Sequence, residues 1–368
     1  MPVRESASTR ITFASTTAPV RRLRTWGAVL AAAAVLPAGL LAGCSKGTDD
    51  AMSSIVRTTT NIAGAGVVGL ERDTRTACPL PSAPDASSGT ITVTHAAGTS
   101  EVPADPKRVV VLSTAALDAV CALGLWERVV GAATVSGPTA QPAYLGTGIS
   151  EVPGVGMVGS PDPAKVAELK PDLILGAASD RAMYDALKGI APTVLTGSDN
   201  GWQAEFTGYG AALDRKTAAA KALDDYRTAA RDTGKSVAAS LSQASVLRFD
   251  PKAVQVQGNN SFAGLVLADA GVQRPQSQRG DSFDIASLGA EADRDKVEGD
   301  IIYLMFDGKD GQKYAESVMH GDDWKSLSAV SDRREFVVED SIWHGSGVTA
   351  ARALLDDLRK SLNAYVTD

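Results

Sequence analysis

A long stretch without proline dominates the middle of this 368-residue chain. No proline occurs between Pro192 and Pro251, and apolar residues recur there at steps of three, four or seven. These residues are Phe206, Tyr209, Leu213, Ala220, Leu223, Tyr226 and Ala230. Such a period predicts one helix with a single apolar face over residues 203–232, about 45 Å long. We expect Gly234 to end or bend this helix.

On each side of this helix, buried-strand patterns alternate with helical patterns. The predicted strands before it are residues 108–112, 129–132, 173–175 and 193–195, and those after it are 245–249, 254–256, 301–305 and 335–338. Alternation of this kind favours parallel sheets with both faces covered. The sequence therefore predicts an α/β protein of two parallel-sheet lobes, residues 107–200 and 243–368. One long backbone helix, within residues 201–242, is expected to join them as a rigid spine.

The N-terminus has the order of a secretory signal. A basic stretch, an apolar run too short for a comfortable membrane span, and small residues follow one another up to Cys44. We interpret residues 1–43 as a signal peptide. Leu-Ala-Gly before Cys44 resembles a bacterial lipobox and predicts a lipid on this cysteine, the alternative being an incidental cysteine after a signal. The protein is then expected outside the cytoplasm, anchored to the cell membrane, with residues 44–106 as tether and leader.

Two cysteines besides Cys44 occur in the chain, Cys78 in the leader and Cys121 in the first predicted helix. In an oxidising compartment two such thiols usually pair, and the alternative is two separate buried thiols. A disulfide here would attach the leader to the first lobe. The loop-entropy model gives it roughly 3–4 kcal/mol of stability.

Charge and motifs exclude several functions. The formal net charge of −7 argues against nucleic-acid binding and against a polybasic membrane-binding face. Residues 64–69 match G-x-G-x-x-G, but no strand precedes them and no helix follows, so nucleotide binding is not predicted. Only His95, His320 and His344 could form a three-histidine metal site, and no catalytic nucleophile motif is present. We therefore predict a binding protein without a catalytic site, metal site or cofactor.

Two facing lobes of this type form a cleft from the loops at the carboxyl ends of their strands. These loops carry aromatic residues and arginines, which suit a bulky, planar, anionic ligand. The candidate ligand-binding residues are Trp343, Trp202, Tyr144, Arg279, Arg274, Arg181 and Phe283. The alternatives are packing at a lobe edge for the tryptophans, a rigid loop for Tyr144, and ordinary solvation for Arg279.

Several segments resemble one protein family. Leu169-Lys-Pro-Asp-Leu-Ile-Leu175 and Ala268-Asp-Ala-Gly271 are examples, and residues 107–113, 117–124, 190–194, 299–303 and 324–327 add to the match. The likeness, over roughly residues 107–362, is to the helical-backbone substrate-binding proteins of ABC importers. Residues 62–69, 141–146, 274–279 and 350–357 are further similar to the FecB-type iron–siderophore lipoproteins of mycobacteria and related actinobacteria.

The resemblance implies a bilobal periplasmic-binding-protein fold with a shallow cleft and modest closure. It also implies a monomer that delivers a ferric siderophore, or haem, to an ABC permease. One feature departs from the family: the glutamates expected to dock on the permease are replaced by Ala164 and Gly289, and Glu291 is displaced. Docking would then use other acids such as Asp162 or Glu168. The alternative is an envelope-associated siderophore- or haem-binding or scaffolding protein that does not dock on a permease.

Overall fold

The computed structural model describes residues 60–86, 88–137, 139–197 and 201–362. All of them belong to one compact unit, Arg57–Asp368. The predicted signal peptide and Cys44 lie outside the described residues.

The leader contains ordered strands. These are β1 (Asn61–Ile62), β2 (Ala65–Val67), β3 (Thr90–His95) and β4 (Gly98–Pro103). The strands β1 and β2 form one antiparallel hairpin, and β3 and β4 form another. The described part of the leader, from residue 60 onward, therefore forms two hairpins.

The first lobe is built on strands β5 (Val109–Val111), β6 (Val129–Thr134), β7 (Gly154–Met157), β8 (Ser160–Pro161), β9 (Leu173–Ala177) and β10 (Thr193–Thr196). Their order in the sheet is β10-β9-β5-β6-β7-β8, and every pair except β7 with β8 is parallel. The connecting helices are α1 (Thr114–Ala122), α2 (Thr147–Ser150), α3 (Pro163–Glu168) and α4 (Tyr184–Lys188). This lobe has the parallel sheet that the sequence predicts.

The linking region is two helices, α5 (Trp202–Ala212) and α6 (Lys216–Ser236), so the prediction of one unbroken helix over residues 203–232 is wrong. Between them Asp214 has a left-handed backbone with φ of 53°. The rings of Trp202 and Tyr226 are 5.0 Å apart, whereas 24 residues of straight helix would separate them by about 36 Å. The helix α5 therefore folds back along α6, and α6 alone is the long helix between the lobes.

The break between these helices has a tertiary cause. The side chain of Arg215 is fully buried, and its guanidinium lies 2.5 Å from the Asp105 carboxylate. It also donates hydrogen bonds to the carbonyl oxygens of Ser82 and Leu213. Gly210 allows the helices to approach, since a Cβ there would lie 2.5 Å from the Ala219 Cβ. The apolar stripe has a gap between Leu213 and Ala220. The helical period on each side of this gap is the same for one straight helix and for two antiparallel helices, so the sequence does not distinguish them.

The second lobe contains strands β11 (Ala244–Phe249), β12 (Val254–Val256), β13 (Phe283–Ile285), β14 (Ile301–Phe306) and β15 (Glu335–Val337). Its helices are α7 (Phe262–Ala270), α8 (Glu291–Val297), α9 (Gly308–Met319), α10 (Asp322–Lys325), α11 (Ser328–Ser331), α12 (Asp340–Trp343) and α13 (Val348–Leu362). The sheet order is β1-β2-β15-β14-β11-β12-β13. The strands β11, β14, β15 and β2 are parallel, while β12, β13 and β1 run antiparallel to their neighbours. This sheet is mixed, not purely parallel, and the leader supplies its edge.

Gly234 does not end the helix α6, which continues to Ser236. A Cβ at Gly234 would lie 1.8 Å from the carbonyl oxygen of Ala270, at the end of α7. The residue is glycine because the two helices touch at this point.

One hydrophobic core joins the two lobes. It contains residues of the first sheet, such as Val109 and Leu175, and of the second, such as Val246 and Tyr303. Helices α1, α5, α6, α7 and α13 fill the space between these sheets, and separate smaller clusters cover the opposite face of each sheet. The arrangement is sheet–helix–sheet, so a wide separation of the lobes would expose part of this core.

Candidate ligand cleft

The carboxyl edges of the two sheets define the candidate site. On the first lobe the parallel strands β5, β6, β9 and β10 end at Val111, Thr134, Ala177 and Thr196. On the second lobe β11, β14 and β15 end at Phe249, Phe306 and Val337. Ligands of open α/β sheets bind outside these ends. We call the space between the two edges the cleft.

A chain of polar contacts connects the two edges and forms the floor of the cleft. Ser113, which caps α1, lies 3.1 Å from the hydroxyl of Tyr209 on α5. That hydroxyl is 3.4 Å from Glu205, and the Ser346 hydroxyl donates to the other Glu205 oxygen at 3.0 Å. Burial raises the pKa of both Glu205 and Tyr209. The floor is therefore polar, largely buried and shared by both lobes.

The second-lobe side of the cleft carries a group of charges around Arg248. Its Nε donates to Asp340 at 2.7 Å, and its terminal nitrogen lies 3.0 Å from Asp307. The exposed His344 follows α12 in the same region, where desolvation and the charge of Arg248 lower the pKa of its imidazole. Arg248 is thus neutralised by its own neighbours.

The first-lobe side carries less charge. Arg181 is exposed, and its guanidinium donates to the carbonyl oxygen of Ala96 at 2.6 Å. Asp180 is buried, accepts the backbone N–H of Ala177 with one oxygen, and has no partner for the other among the described atoms. Burial raises the pKa of Asp180. Of the predicted residues on this side, Arg181 is the one that the structure places at the carboxyl edge with an exposed side chain.

Trp343 faces the core. It is 1% exposed, its indole N–H donates to Asp357 at 3.0 Å, and its ring lies 4.3 Å from that of Tyr303. Trp202 is 4% exposed and packs edge-on against Tyr226. Because both indoles are buried, they are not available for direct contact with a ligand. This corrects the prediction that Trp343 and Trp202 bind the ligand.

Tyr144 is also buried. Its hydroxyl donates to Asp118 at 3.0 Å, and the same carboxylate accepts the backbone N–H groups of Thr349 and Ala350 at the start of α13. Tyr144 therefore supports an inter-lobe contact, which differs from the ligand contact predicted for it.

The loop with Arg274, Arg279 and Phe283 lies near the amino end of β11, at the opposite edge of the sheet from the cleft. It precedes β13, which runs antiparallel to β12, and Gln273 just before it bridges to Gln243, next to the amino end of β11. Strand direction inside the second lobe cannot be read from hydrophobic period alone. The prediction that this loop lines the cleft is therefore wrong.

The side chains of this loop are used within the protein. Arg274 is 4% exposed and donates to the carbonyl oxygen of Gln257 and to Gln278; burial lowers its pKa to about 10. Arg279 is exposed and donates to the carbonyl oxygen of Arg274 at 3.1 Å. Phe283 packs on the apolar cluster at the outer face of its sheet.

Sequence reasoning missed the residues that surround the cleft most closely. Arg248 is the next-to-last residue of a strand, and Glu205 lies in α5 directly before Phe206, the first residue of the apolar stripe. Neither pattern distinguishes them from ordinary surface or core positions. Asp340 and His344 follow β15 at the carboxyl edge but are not among the predicted ligand-binding residues.

The predicted disulfide is confirmed. Cys78 and Cys121 are bonded with an S–S distance of 2.07 Å and attach the leader to α1. Within the described ranges, no three His, Cys, Asp or Glu side chains lie close enough together to hold a metal ion. Among those same residues, no helix is long and apolar enough to cross a membrane.

A bilobal α/β binding protein with a cleft at the carboxyl edges of its sheets is the class that this fold defines. Residues 109–340 match the family model described as periplasmic binding protein. This chain belongs to that family. The predicted fold class is confirmed, and the family is one of binding proteins.

Individual relatives agree with this assignment. The chain is 32% identical over 286 residues to the "Probable siderophore-binding lipoprotein YfiY" of Bacillus subtilis, covering 74% of this chain and 87% of the relative. It resembles the crystal structure of Staphylococcus aureus SirA complexed with staphyloferrin B, with 26% identity and a TM-score of 0.64. That match covers 74% of this chain and 99% of SirA. The petrobactin-binding protein YclQ of Bacillus subtilis, at 24% identity and a TM-score of 0.62, has the same fold over 74% of this chain and 99% of its own.

Proposed function

We propose that this protein is an extracytoplasmic, lipid-anchored solute-binding protein that captures a ferric siderophore for an ABC importer. The observation that carries the proposal is family membership together with relatives named for siderophores, SirA with staphyloferrin B and YfiY among them. A cleft built on two sheets with one shared core suits a ligand held between relatively rigid lobes.

The lipid anchor on Cys44 rests on the lipobox-like sequence before it and on relatives named as lipoproteins. Replacement of this thiol tests the anchor directly. Cys44→Ala is expected to move the protein from the membrane fraction to the soluble extracytoplasmic fraction. Immunoblotting of both fractions measures this change. Retention of the variant in the membrane fraction would contradict a lipid anchor at this position.

Ligand capture is tested by calorimetric titration of residues 45–368 with ferric siderophores of the hydroxamate, catecholate and carboxylate classes, and with haem. Saturable binding of at least one ferric siderophore at micromolar concentration or below is expected. Tighter binding of haem than of every siderophore would replace the proposed cargo. Binding of none of these ligands would refute the function.

The location of the site is tested by a bulky substitution with a matched control. His344→Trp introduces a large ring at an exposed position of the cleft, and at least a tenfold loss of affinity is expected. His320→Trp makes the same change at an exposed residue after α9, at the end of that helix away from the carboxyl edge. Equal effects of both substitutions would show that the ligand does not occupy the cleft.

A second function is favoured by one specific observation. Ala164 and Gly289 stand where the resemblance implies permease-docking glutamates, and the nearby Asp162 uses its carboxylate to cap α3. A protein that binds its ligand in the envelope without docking on a permease fits this departure. Deletion of the gene distinguishes the two: loss of uptake of siderophore-bound radiolabelled iron supports import, whereas normal uptake with an altered envelope supports the second function.

A further inference from the structure

Resting on the function proposed above, we propose that the cleft takes a ferric siderophore whose iron complex carries no net negative charge, of the tris-hydroxamate type. This assignment comes from the charges at the two carboxyl edges. It differs from the bulky anionic ligand that the arginines of the sequence suggest.

Acids outnumber available cations on the second-lobe edge. The acids in the segments that follow β11, β14 and β15 are Asp250, Asp307, Asp310, Glu339 and Asp340. The cations of the same segments are Lys252 and Lys309, both exposed, and Arg248 at the end of β11. The ion pairs of Arg248 with Asp307 and Asp340 occupy its guanidinium. A ligand at this edge therefore meets a net negative potential.

The first-lobe edge does not reverse this balance. Among the described residues at this edge, Arg181 adds one positive charge, which is less than the excess of acids over cations on the second-lobe edge. The hairpin of β7 and β8 meets the same edge with two apolar side chains, Met157 and Val158, which are 46% and 43% exposed. Within the part of this edge that the structure describes, there is apolar contact but no arginine cluster for an anion.

The charge of the iron complex distinguishes the siderophore classes. A hydroxamate binds iron as a singly charged group, so three of them balance Fe³⁺ and the complex has no net charge. A catecholate binds as a doubly charged group, so a tris-catecholate complex is strongly anionic. Repulsion between like charges on a binding surface and its ligand lowers the affinity for that ligand and so favours binding of other ligands. The cleft therefore selects for the neutral complex and against the anionic one.

Calorimetric titration of residues 45–368 with ferrichrome, a tris-hydroxamate, and ferric enterobactin, a tris-catecholate, tests the assignment. Ferrichrome is expected to bind at least about tenfold more tightly. Raising NaCl from about 0.05 to about 0.5 M is expected to strengthen enterobactin binding, because salt screens repulsion, and to change ferrichrome affinity less than about twofold. Equal or tighter binding of ferric enterobactin at low salt would overturn the class assignment and leave the proposed function standing. Binding of no ferric siderophore would overturn the proposed function instead.

Charge variants provide an independent readout. Asp307→Asn removes one partner of Arg248, and Asp310→Lys reverses an exposed charge in the first turn of α9 without disturbing that ion pair. Both are expected to strengthen ferric enterobactin binding several-fold, with thermal unfolding used to verify that each variant is folded. Asp332→Asn is the control, since this exposed acid precedes β15 at the amino end of the sheet. No change with either test variant, or an equal change with the control, would overturn the role of edge charge.

Discussion

At the scale of single residues, Asp118 forms a buried contact between the two lobes that depends on several hydrogen bonds. Its carboxylate is fully buried, yet it accepts two backbone N–H groups of α13 at 2.9 and 2.8 Å and the hydroxyl of Tyr144. A Cβ at Gly347 would lie 2.3 Å from this carboxylate, so glycine is required beside it. Asp118 of the first lobe therefore satisfies backbone N–H groups at the start of α13, a helix of the second lobe.

Burial raises the pKa of Asp118 to about 6, although its hydrogen bonds oppose the shift. Because the folded pKa lies above the unfolded one, the bound proton stabilises the protein below about pH 4, and this contribution is lost as the pH rises through about 6. In Asp118→Asn this pH-dependent contribution disappears. Between pH 4 and pH 7.5, the titration of Asp118 is expected to lower the unfolding free energy of the natural protein by an amount on the order of 3 kcal/mol, and Asp118→Asn should lack this difference. Urea unfolding of both proteins at the two pH values measures it.

The comparison needs a control for general acid effects. Asp332→Asn, at an exposed position, is expected to leave the pH profile of the unfolding free energy as in the natural sequence. A profile of Asp118→Asn that is parallel to that of the natural sequence would contradict a titrating Asp118.

At the scale of elements, the leader holds the two lobes together. Its β2 pairs with β15 at the edge of the second sheet, its Cys78 is bonded to α1 of the first lobe, and Arg72 forms an ion pair with Asp357 of α13. Few of these contacts could be predicted from a segment rich in small and polar residues. The disulfide was predicted because it depends on cysteine number and compartment, whereas the strand pairing depends on the edge that the folded sheet leaves available.

Loss of Arg72 is expected to destabilise the protein. The Asp357 side chain is 0% exposed and would remain buried without its cation, so Arg72→Ala is expected to cost about 3 kcal/mol in chemical unfolding. Arg75→Ala removes an arginine whose side chain is 87% exposed and pairs with Asp73, so its effect on the free energy of unfolding should be close to zero. Similar small effects of both substitutions would show that the leader contact adds little.

Packing of α6 on α7 depends on one small residue. Gly234→Ala places a methyl group against the carbonyl oxygen of Ala270, and a destabilisation of about 3 kcal/mol is expected because backbone must move. Gly280→Ala makes the same change where no atom lies within 4 Å of the new methyl group, and should be nearly neutral. Thermal unfolding of both variants tests this contact; a neutral Gly234→Ala would contradict the close approach of the two helices.

The course of α5 shows why helix prediction from period fails in detail. Both helices bury the apolar stripe from Phe206 to Ala230 except Ala220, which is exposed, while its neighbour Ala219 is buried instead. The chain nevertheless turns at Asp214, because the burial of Arg215 beside Asp105 depends on residues more than a hundred positions away. Local sequence carries the helical period but not this distant partner.

At the scale of the whole molecule, the alternation of strands and helices was enough to predict two α/β lobes. The apolar period predicted a helix between them, but as one helix instead of α5 and α6. The alternation was not enough to predict strand direction in the second lobe, where β12 and β13 turn antiparallel. That difference moves the loop of Arg274 and Arg279 away from the cleft. The aromatic candidates fail for another reason: Trp343 and Tyr144 find polar partners inside the core, which sequence cannot show.

The shared core limits how far the two lobes can move apart. Residues of both sheets and of the helices between them belong to one apolar cluster, and the Glu205–Ser346 hydrogen bond connects the lobes at the cleft floor. Wide opening would break both, so ligand entry is expected to involve the loops of the carboxyl edges and small lobe movements. The cleft can therefore hold a ligand without a large hinge motion.

Hydrogen–deuterium exchange measured by mass spectrometry, with and without a saturating ferric siderophore, tests the central claim most directly. The account predicts protection in peptides that cover residues 177–184, 248–253, 306–310 and 339–346, and none in residues 274–283. Protection confined to residues 274–283, or no protection anywhere under saturating conditions, would contradict a siderophore site at the carboxyl edges of the two sheets.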